Sequence, residues 1–129
     1  NDDAFAQQDL TLVNKERTSR GLNALVLGDA NLNAATELRA RELAEVNSHT
    51  RPDGTSCFTV LNTFNVKDQA VGEVAAWGSR SPEEVVDSWM HSDGHRAILL
   101  DAEARKMCVS CYYDTNSDYG TNWAMLVTE

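Results

Sequence analysis

Ser81-Pro82-Glu83-Glu84 constrains this chain more tightly than any other stretch. Ser81 can cap a helix, and Pro82 suits the first helical position, where its missing N–H costs nothing. Glu84 completes a capping box, and both acids oppose the positive end of the helix dipole. The spacing predicts a helix from Pro82 through Trp89, with Val85, Val86 and Trp89 facing a core. Asp93-Gly94 is expected to end it. His95 then falls in a Gly94-His95-Arg96 turn just past the helix, where an imidazole can face a cleft, and Ala97 to Leu100 adds one further turn.

The remaining elements follow from periodicity and punctuation. Ala4 to Arg20 reads as a helix with an apolar stripe at Ala6, Leu10 and Val13 beside Phe5 and Leu12, stopped by Gly21. Leu22, Leu25 and Leu27 form a short apolar connection. Asp29 caps a second helix running to about Asn47, with Leu32, Ala35, Leu43 and Val46 on one face. Pro52-Asp53-Gly54 is turn chemistry, Ser56 to Phe64 a short helix, and Ala70 to Trp77 an extended segment. Met107 to Tyr113 and Trp123 to Thr128 read as strands separated by a polar loop, Asp114 to Asn122. This order predicts one α+β domain over residues 1–129, with helices packed around a small, largely antiparallel sheet.

A formal charge of −9 repels phosphate backbones and anionic lipid, so nucleic-acid binding is not expected. A local cationic patch around Arg39, Arg41, Arg51 and Arg96 is compatible with that total. No apolar run approaches the ~20 residues that span a bilayer. The chain starts at Asn1 without a signal-like segment, and the expectation is a mature or trimmed piece of an exported protein. Cys57, Cys108 and Cys111 leave one thiol over if a single disulfide forms. Cys108 and Cys111 would point to opposite faces of a strand, which argues against a redox or zinc Cys-x-x-Cys motif.

Arg39 and Glu42 share a helix face at i, i+3 and read as a structural ion pair rather than a reactive one. His91 reads as solvated surface. Trp77, Trp89 and Trp123 are sparse and read as core rather than as a ligand groove.

Taken together and in this order, several motifs resemble the CAP superfamily, the cysteine-rich secretory, antigen-five and pathogenesis-related-one proteins, and most closely its bacterial SCP-like extracellular branch. They are Leu12-Val13-Asn14 through Arg17, Arg39-Ala40-Arg41-Glu42, Ser48-His49-Thr50-Arg51-Pro52-Asp53-Gly54, Gly72-Glu73, Ser81-Pro82-Glu83-Glu84 with Trp89, and Gly94-His95-Arg96 with Leu99. The resemblance implies a three-layer α-β-α sandwich, a secreted or cell-surface location, and a cleft built from His49, Glu73 and His95. It also implies a disulfide from Cys57 to Cys111, with Cys57 to Cys108 as the other choice. Three departures weaken the implied site. Ser92 stands where eukaryotic members carry a second cleft glutamate, Val74 replaces the asparagine of Gly-Glu-Asn, and Ile98 replaces the asparagine of Gly-His-Arg-x-Asn.

Two imidazoles and a carboxylate can hold a divalent metal such as zinc with open water positions, although the fold requires no cofactor. The same residues suit acid–base hydrolysis, with Glu73 or His49 as base, His95 as acid, and Ser92 or Ser48 as a conceivable nucleophile. No nucleophile-elbow sequence surrounds either serine. The leading expectation is therefore a monomeric, non-enzymatic binding module for a small apolar ligand, a metal or a protein partner. A metal-dependent hydrolase and a purely structural cluster are its alternatives.

Overall fold

In the computed structural model, which describes residues 2–114, 116 and 120–129, five helices and four strands alternate along the chain. They are α1 (Asp2–Thr18), β1 (Val26–Leu27), α2 (Ala30–Glu45), α3 (Thr59–Thr63), β2 (Ala70–Trp77), α4 (Pro82–Met90), α5 (Asp93–Leu99), β3 (Lys106–Tyr113) and β4 (Thr121–Thr128). The strands lie in the order β1-β3-β4-β2. β3 with β4 and β4 with β2 are antiparallel, and only the short β1–β3 pair is parallel.

Both faces of the sheet are covered, which is why its strands do not alternate cleanly between apolar and polar residues. Val74, Met107, Val109, Trp123, Met125 and Val127 face α1, α4 and α5, in a core shared with Val13, Val85, Trp89 and Leu99. From the other face Cys108 and Leu126 meet Leu32 and Ala35 of α2 and Val60 and Leu61 around α3. Farther along that face, Ala75 and Ala124 meet Ala40 and Leu43 of α2. The expected three-layer α-β-α arrangement is what the chain adopts.

Local signals explain where elements start. Ser81 Oγ accepts the Glu84 N–H at 3.1 Å, with Pro82 opening α4. Asp29 Oδ1 accepts the Leu32 N–H at 3.0 Å and caps α2. Trp89 Nε1 donates to the Ala75 carbonyl at 3.0 Å and Trp123 Nε1 to the Ser79 carbonyl at 2.9 Å, so both buried indoles satisfy their one polar group. These two tryptophans are core as expected, while Trp77 is half-buried.

Several expectations need correction. Asp93-Gly94 does not end a helix: α4 stops at Met90, and Asp93 and Gly94 open α5, which places His95 inside a helix's first turn. The Leu22 to Leu27 connection contains β1, too short for a periodic signal. The short helix α3 occupies only the end of Ser56 to Phe64, and Val46 is exposed. In α1 the fully buried stripe is Asp9, Val13 and Arg17 rather than purely apolar. Arg17 donates to the carbonyls of Leu99 and Asp101 at 2.9 and 2.8 Å, tying α1 to the end of α5. Of the expected loop Asp114 to Asn122, Thr121 and Asn122 belong to β4, and residues 115 and 117–119 lie outside the described residues.

Among the described residues no disulfide joins Cys57, Cys108 or Cys111, and all three are buried. The Cys57–Cys111 pair that the resemblance implies is not formed in this structure. Cys57 lies beside Glu73 on the α2 side of the sheet, whereas Cys111 packs in the core on the α1 side.

Candidate functional site

The site forms at the β2 edge of the sheet. Glu73 lies near the start of that strand with its side chain turned toward α2, between Gly72 and Val74, which face the opposite layer. Arg39 meets it from α2. Nε donates to Glu73 Oε2 at 2.6 Å and Nη2 to Glu73 Oε1 at 2.9 Å, a two-pronged pair with both side chains buried. A planar guanidinium is the cation best matched to a carboxylate in this geometry. Arg39 also donates through Nη1 to Glu42 Oε1 at 2.8 Å and through Nη2 to the Ser48 carbonyl at 3.0 Å.

Glu42 in turn grips the loop that carries His49. Arg51 donates to both of its oxygens, with Nη2 at 2.9 Å from Oε2, and Arg51 Nη1 reaches Thr59 Oγ1 at 3.0 Å. Burial alone would raise the Glu42 pKa, but the hydrogen bonds from Arg51 and Arg39 outweigh it and lower it. The loop closes on itself as well. Gly54 donates to the Arg51 carbonyl at 2.8 Å across the Pro52-Asp53 turn, and Cys57 donates its N–H to the His49 carbonyl at 2.9 Å. Gly54 has φ +87°, a conformation that a glycine adopts without strain. The expected Arg39–Glu42 pair is thus present, and it forms the middle of a four-residue chain of charges. The suggested cationic patch is cancelled at Arg39 and Arg51, because each guanidinium is already met by carboxylates.

His49 stands at the outer end of this chain. Its Nδ1 lies 2.8 Å from Glu73 Oε1, and because a carboxylate beside an arginine can only accept, Nδ1 carries the hydrogen. Nε2 is left as the ring's lone-pair atom. The Glu73 side chain is almost completely covered while that of His49 is 57% exposed, so the imidazole is held from beneath and open to solvent above.

His95 approaches from α5, on the other side of the β2 edge. Ile98 of the same helix rests directly on Gly72, where a Cβ would lie 2.8 Å from Ile98 Cγ1. Glycine at 72 is what lets α5 come this close. The pKa of His95 is lowered, first by burial and then by charge on His49. The structure thus joins His49 directly to Glu73 and sets His95 on α5, the helix that packs on Gly72 beside Glu73.

Two residues enter that sequence reasoning did not assign to the site. Arg39 pairs in sequence only with Glu42, because nothing local reveals a partner in a strand 34 residues away. Cys57 is the other: His49, Cys57 and Glu73 offer ligand-type atoms within 4.8 Å of one another. Burial pushes the Cys57 thiol up to about 11, with the Glu73 charge adding to it, so the sulfur stays protonated at neutral pH. Ser48 and Ser92 show no activated geometry. Ser48 Oγ accepts the Thr50 N–H at 3.0 Å, and Ser92 occupies the cap position of α5. Val74 faces the core on the far side of the sheet, so its replacement of an asparagine removes nothing from the cleft. His91 is exposed, with Nδ1 2.7 Å from the Asp87 carbonyl.

An α-β-α sandwich with an exposed histidine held on a buried glutamate at one sheet edge is what the chain presents. The chain matches the CAP, cysteine-rich secretory protein, family over residues 10–127, and it belongs to that family. It is 32% identical over 100 residues to the uncharacterized protein YkwD of Bacillus subtilis (strain 168), covering 76% of this chain and 38% of that protein. Its fold is similar to that of an extracellular SCP-domain protein from Bacillus anthracis str. Ames, with TM-score 0.82 and 21% identity, covering 99% of this chain and 41% of that one. It is also similar to an outer surface protein of Borrelia burgdorferi, with TM-score 0.79 and 21% identity, covering 93% of this chain and 88% of that one. The chain thus spans less than half the length of the two Bacillus proteins.

Proposed function

We propose that this is the binding domain of an exported protein, and that its cleft takes a divalent cation between the two imidazoles rather than carrying out hydrolysis. The observation that supports this most is the division of Glu73. One oxygen receives Arg39 and His49 and the other receives Arg39, which makes the carboxylate an orienting group for the imidazole. A carboxylate that fixes the Nδ1 hydrogen of a histidine directs Nε2 outward, the usual outer-sphere partnership of a metal-bound imidazole. His95, held neutral to lower pH than a solvated histidine, suits the same role. Zinc accepts such a donor set with water in the remaining positions. The Cys57 thiol, pushed up to about 11, is a poor third ligand, so the site is open and weak. The formal charge of −9 favours a cation over an anion. Export is supported by the extracellular and outer-surface proteins that share the fold.

Calorimetric titration of the domain with zinc in chelator-free buffer tests this. One saturable site is expected, lost in His49→Ala and in His95→Ala, with melting temperatures close to that of the parent. No heat, or binding that survives both substitutions, refutes it. Loss of melting temperature without any zinc binding in the parent would support the structural alternative instead.

A further inference from the structure

Glu73 faces α2 because β2 carries a bulge just before it. Ala70 pairs with Thr128 and Gly72 with Val127, so β2 advances two residues while β4 advances one, and Val71 is the extra residue. A bulge of this kind inverts the face that each later side chain meets. Ala70 packs against the α2 and α3 side of the sheet, whereas Val71, Val74 and Ala76 pack on the α1, α4 and α5 side. In an unbroken alternation from Ala70, Glu73 would enter that apolar layer and Gly72 would face α2. The bulge instead sets Glu73 beneath His49 and turns Gly72 toward α5.

Gly72 is where α5 touches β2. A Cβ there would lie 2.8 Å from Ile98 Cδ1 and Cγ1 and 2.9 Å from Cγ2, so any side chain at 72 must displace Ile98. Glycine inside a strand marks such a close approach. Ile98 follows His95 by three positions, and the two share one face of α5. The next residue, Leu99, is fully buried, and its carbonyl and that of Asp101 accept from the buried Arg17. The last turn of α5 is therefore anchored by Arg17 on one side and by Ile98 on β2 on the other. The first turn is held less firmly. Ser92 makes no side-chain cap bond, and Asp93 and Gly94 are exposed.

We infer that Ile98, seated on Gly72, is the positioning residue that sets the depth and rotation of His95 at the β2 edge beside Glu73. Ile98 acts through the helix and touches no ligand itself. Its consequence for binding rests on the cation site proposed between the two imidazoles. His49 and His95 come from separate elements, and donors on separate elements serve one ion only while the packing between those elements is fixed. The bulge, the glycine and the isoleucine thus form one device, which aims Glu73 at His49 on one face of β2 and seats the His95 helix on the other.

A steric exchange tests this. Gly72→Ala drives Ile98 off its seat, Ile98→Ala empties the seat, and the double variant returns a methyl group to the space the isoleucine left. In the metal-free protein, modification by diethyl pyrocarbonate followed by peptide mass mapping compares half-buried His95 with exposed His91. His95 is expected to react more slowly than His91 in the parent, faster in both single variants, and at close to its parent rate in the double variant. Zinc affinity by calorimetry should fall about tenfold in Gly72→Ala, the usual cost of disturbing what orients a metal ligand. It should fall less in Ile98→Ala and recover in the double variant. If Gly72→Ala does not fold, Ile98→Ala carries the same comparison. A His95 rate unchanged in the single variants, or a double variant no closer to the parent than they are, overturns the inference. So does a lower melting temperature with His95 reactivity and zinc affinity both unmoved, which would make Ile98 core packing alone. A parent that takes up no zinc refutes the cation site only, because the His95 rates still decide the positioning role.

Discussion

Glu73 and Asp9 are both buried carboxyl groups in the same small protein, and the chain treats them in opposite ways. Glu73 is 4% exposed and meets a guanidinium, an imidazole and, through Arg39, a second carboxylate. Asp9 is 0% exposed, and neither of its oxygens has a hydrogen-bond partner. Burial, with the nearby Glu83 charge adding to it, raises the Asp9 pKa from 3.8 to about 8. A buried carboxyl group can be kept charged by pairing it or kept neutral by isolating it. The network anchors the His49 loop. The isolated acid makes the α1 layer sensitive to pH.

The most severe way to break the contrast is to turn Glu73 into a second Asp9. Arg39→Met removes four hydrogen bonds and leaves a buried carboxylate without its cation, a change that costs about 3–5 kcal/mol. Urea unfolding measures it. Adding Glu73→Leu should recover most of the loss, because an apolar pair of similar volume has no charge to desolvate. If the single substitution costs less than about 1 kcal/mol, the pair is not what holds α2 to β2.

The next effect comes from curing Asp9. Its unfolded form ionises near 3.8 and its folded form near 8. The Asp9 contribution to stability is therefore greatest below pH 4, declines as pH rises between the two values, and levels off above 8. The slope approaches ~1.4 kcal/mol per pH unit where the two states differ by a full proton. Asp9→Asn removes that slope. The variant should match the parent near pH 4 and exceed it by ~2 kcal/mol or more at pH 8, read from urea midpoints across the range. Identical pH profiles would mean that Asp9 is ionised in the fold.

Glu42→Gln probes the middle of the network. It keeps the shape of the side chain but removes the charge that holds Arg39 and Arg51 together, and a charge-assisted hydrogen bond of this kind is worth about 1–2 kcal/mol. Unchanged stability would show that Glu42 only screens Arg39. A Glu42 pKa that is lowered in the fold also predicts that its contribution fades as pH falls through that value.

These two carboxyl groups also mark how far the sequence could be read. Local chemistry was legible: Ser81 and Asp29 cap the helices they were expected to cap, and Ala70 to Trp77 is a strand over just that span. His49 and Glu73 meet because their motifs lie on elements whose order could be read. What escaped was whatever a distant partner decides. Arg39 pairs across 34 residues with Glu73, and no helical spacing encodes that. Asp9 sits one turn before Val13 on a face whose burial depends on α4 and the sheet, which the helix's own spacing does not encode. Gly94 reads as a stop because glycine ends helices more often than it opens them, whereas the chain turns at His91 and Ser92 and re-enters a helix.

The smallest effect separates the two causes acting on Asp9. Burial is the larger and Glu83 the smaller, and Glu83 is an exposed residue in the first turn of α4. Glu83→Gln removes the charge without changing the packing. The Asp9 titration, followed by the carboxyl carbon shift in NMR, should move down from about 8 while staying far above 3.8. Overall stability should change by no more than ~0.5 kcal/mol, the usual range for a surface substitution. Because α4 also loses a favourable acid near its N-terminus, the two small contributions oppose each other in stability. Only the titration tells them apart. A midpoint that fell close to 3.8 would make Glu83 the controlling group, and the contrast with Glu73 would then be one of neighbouring charges rather than of pairing and isolation.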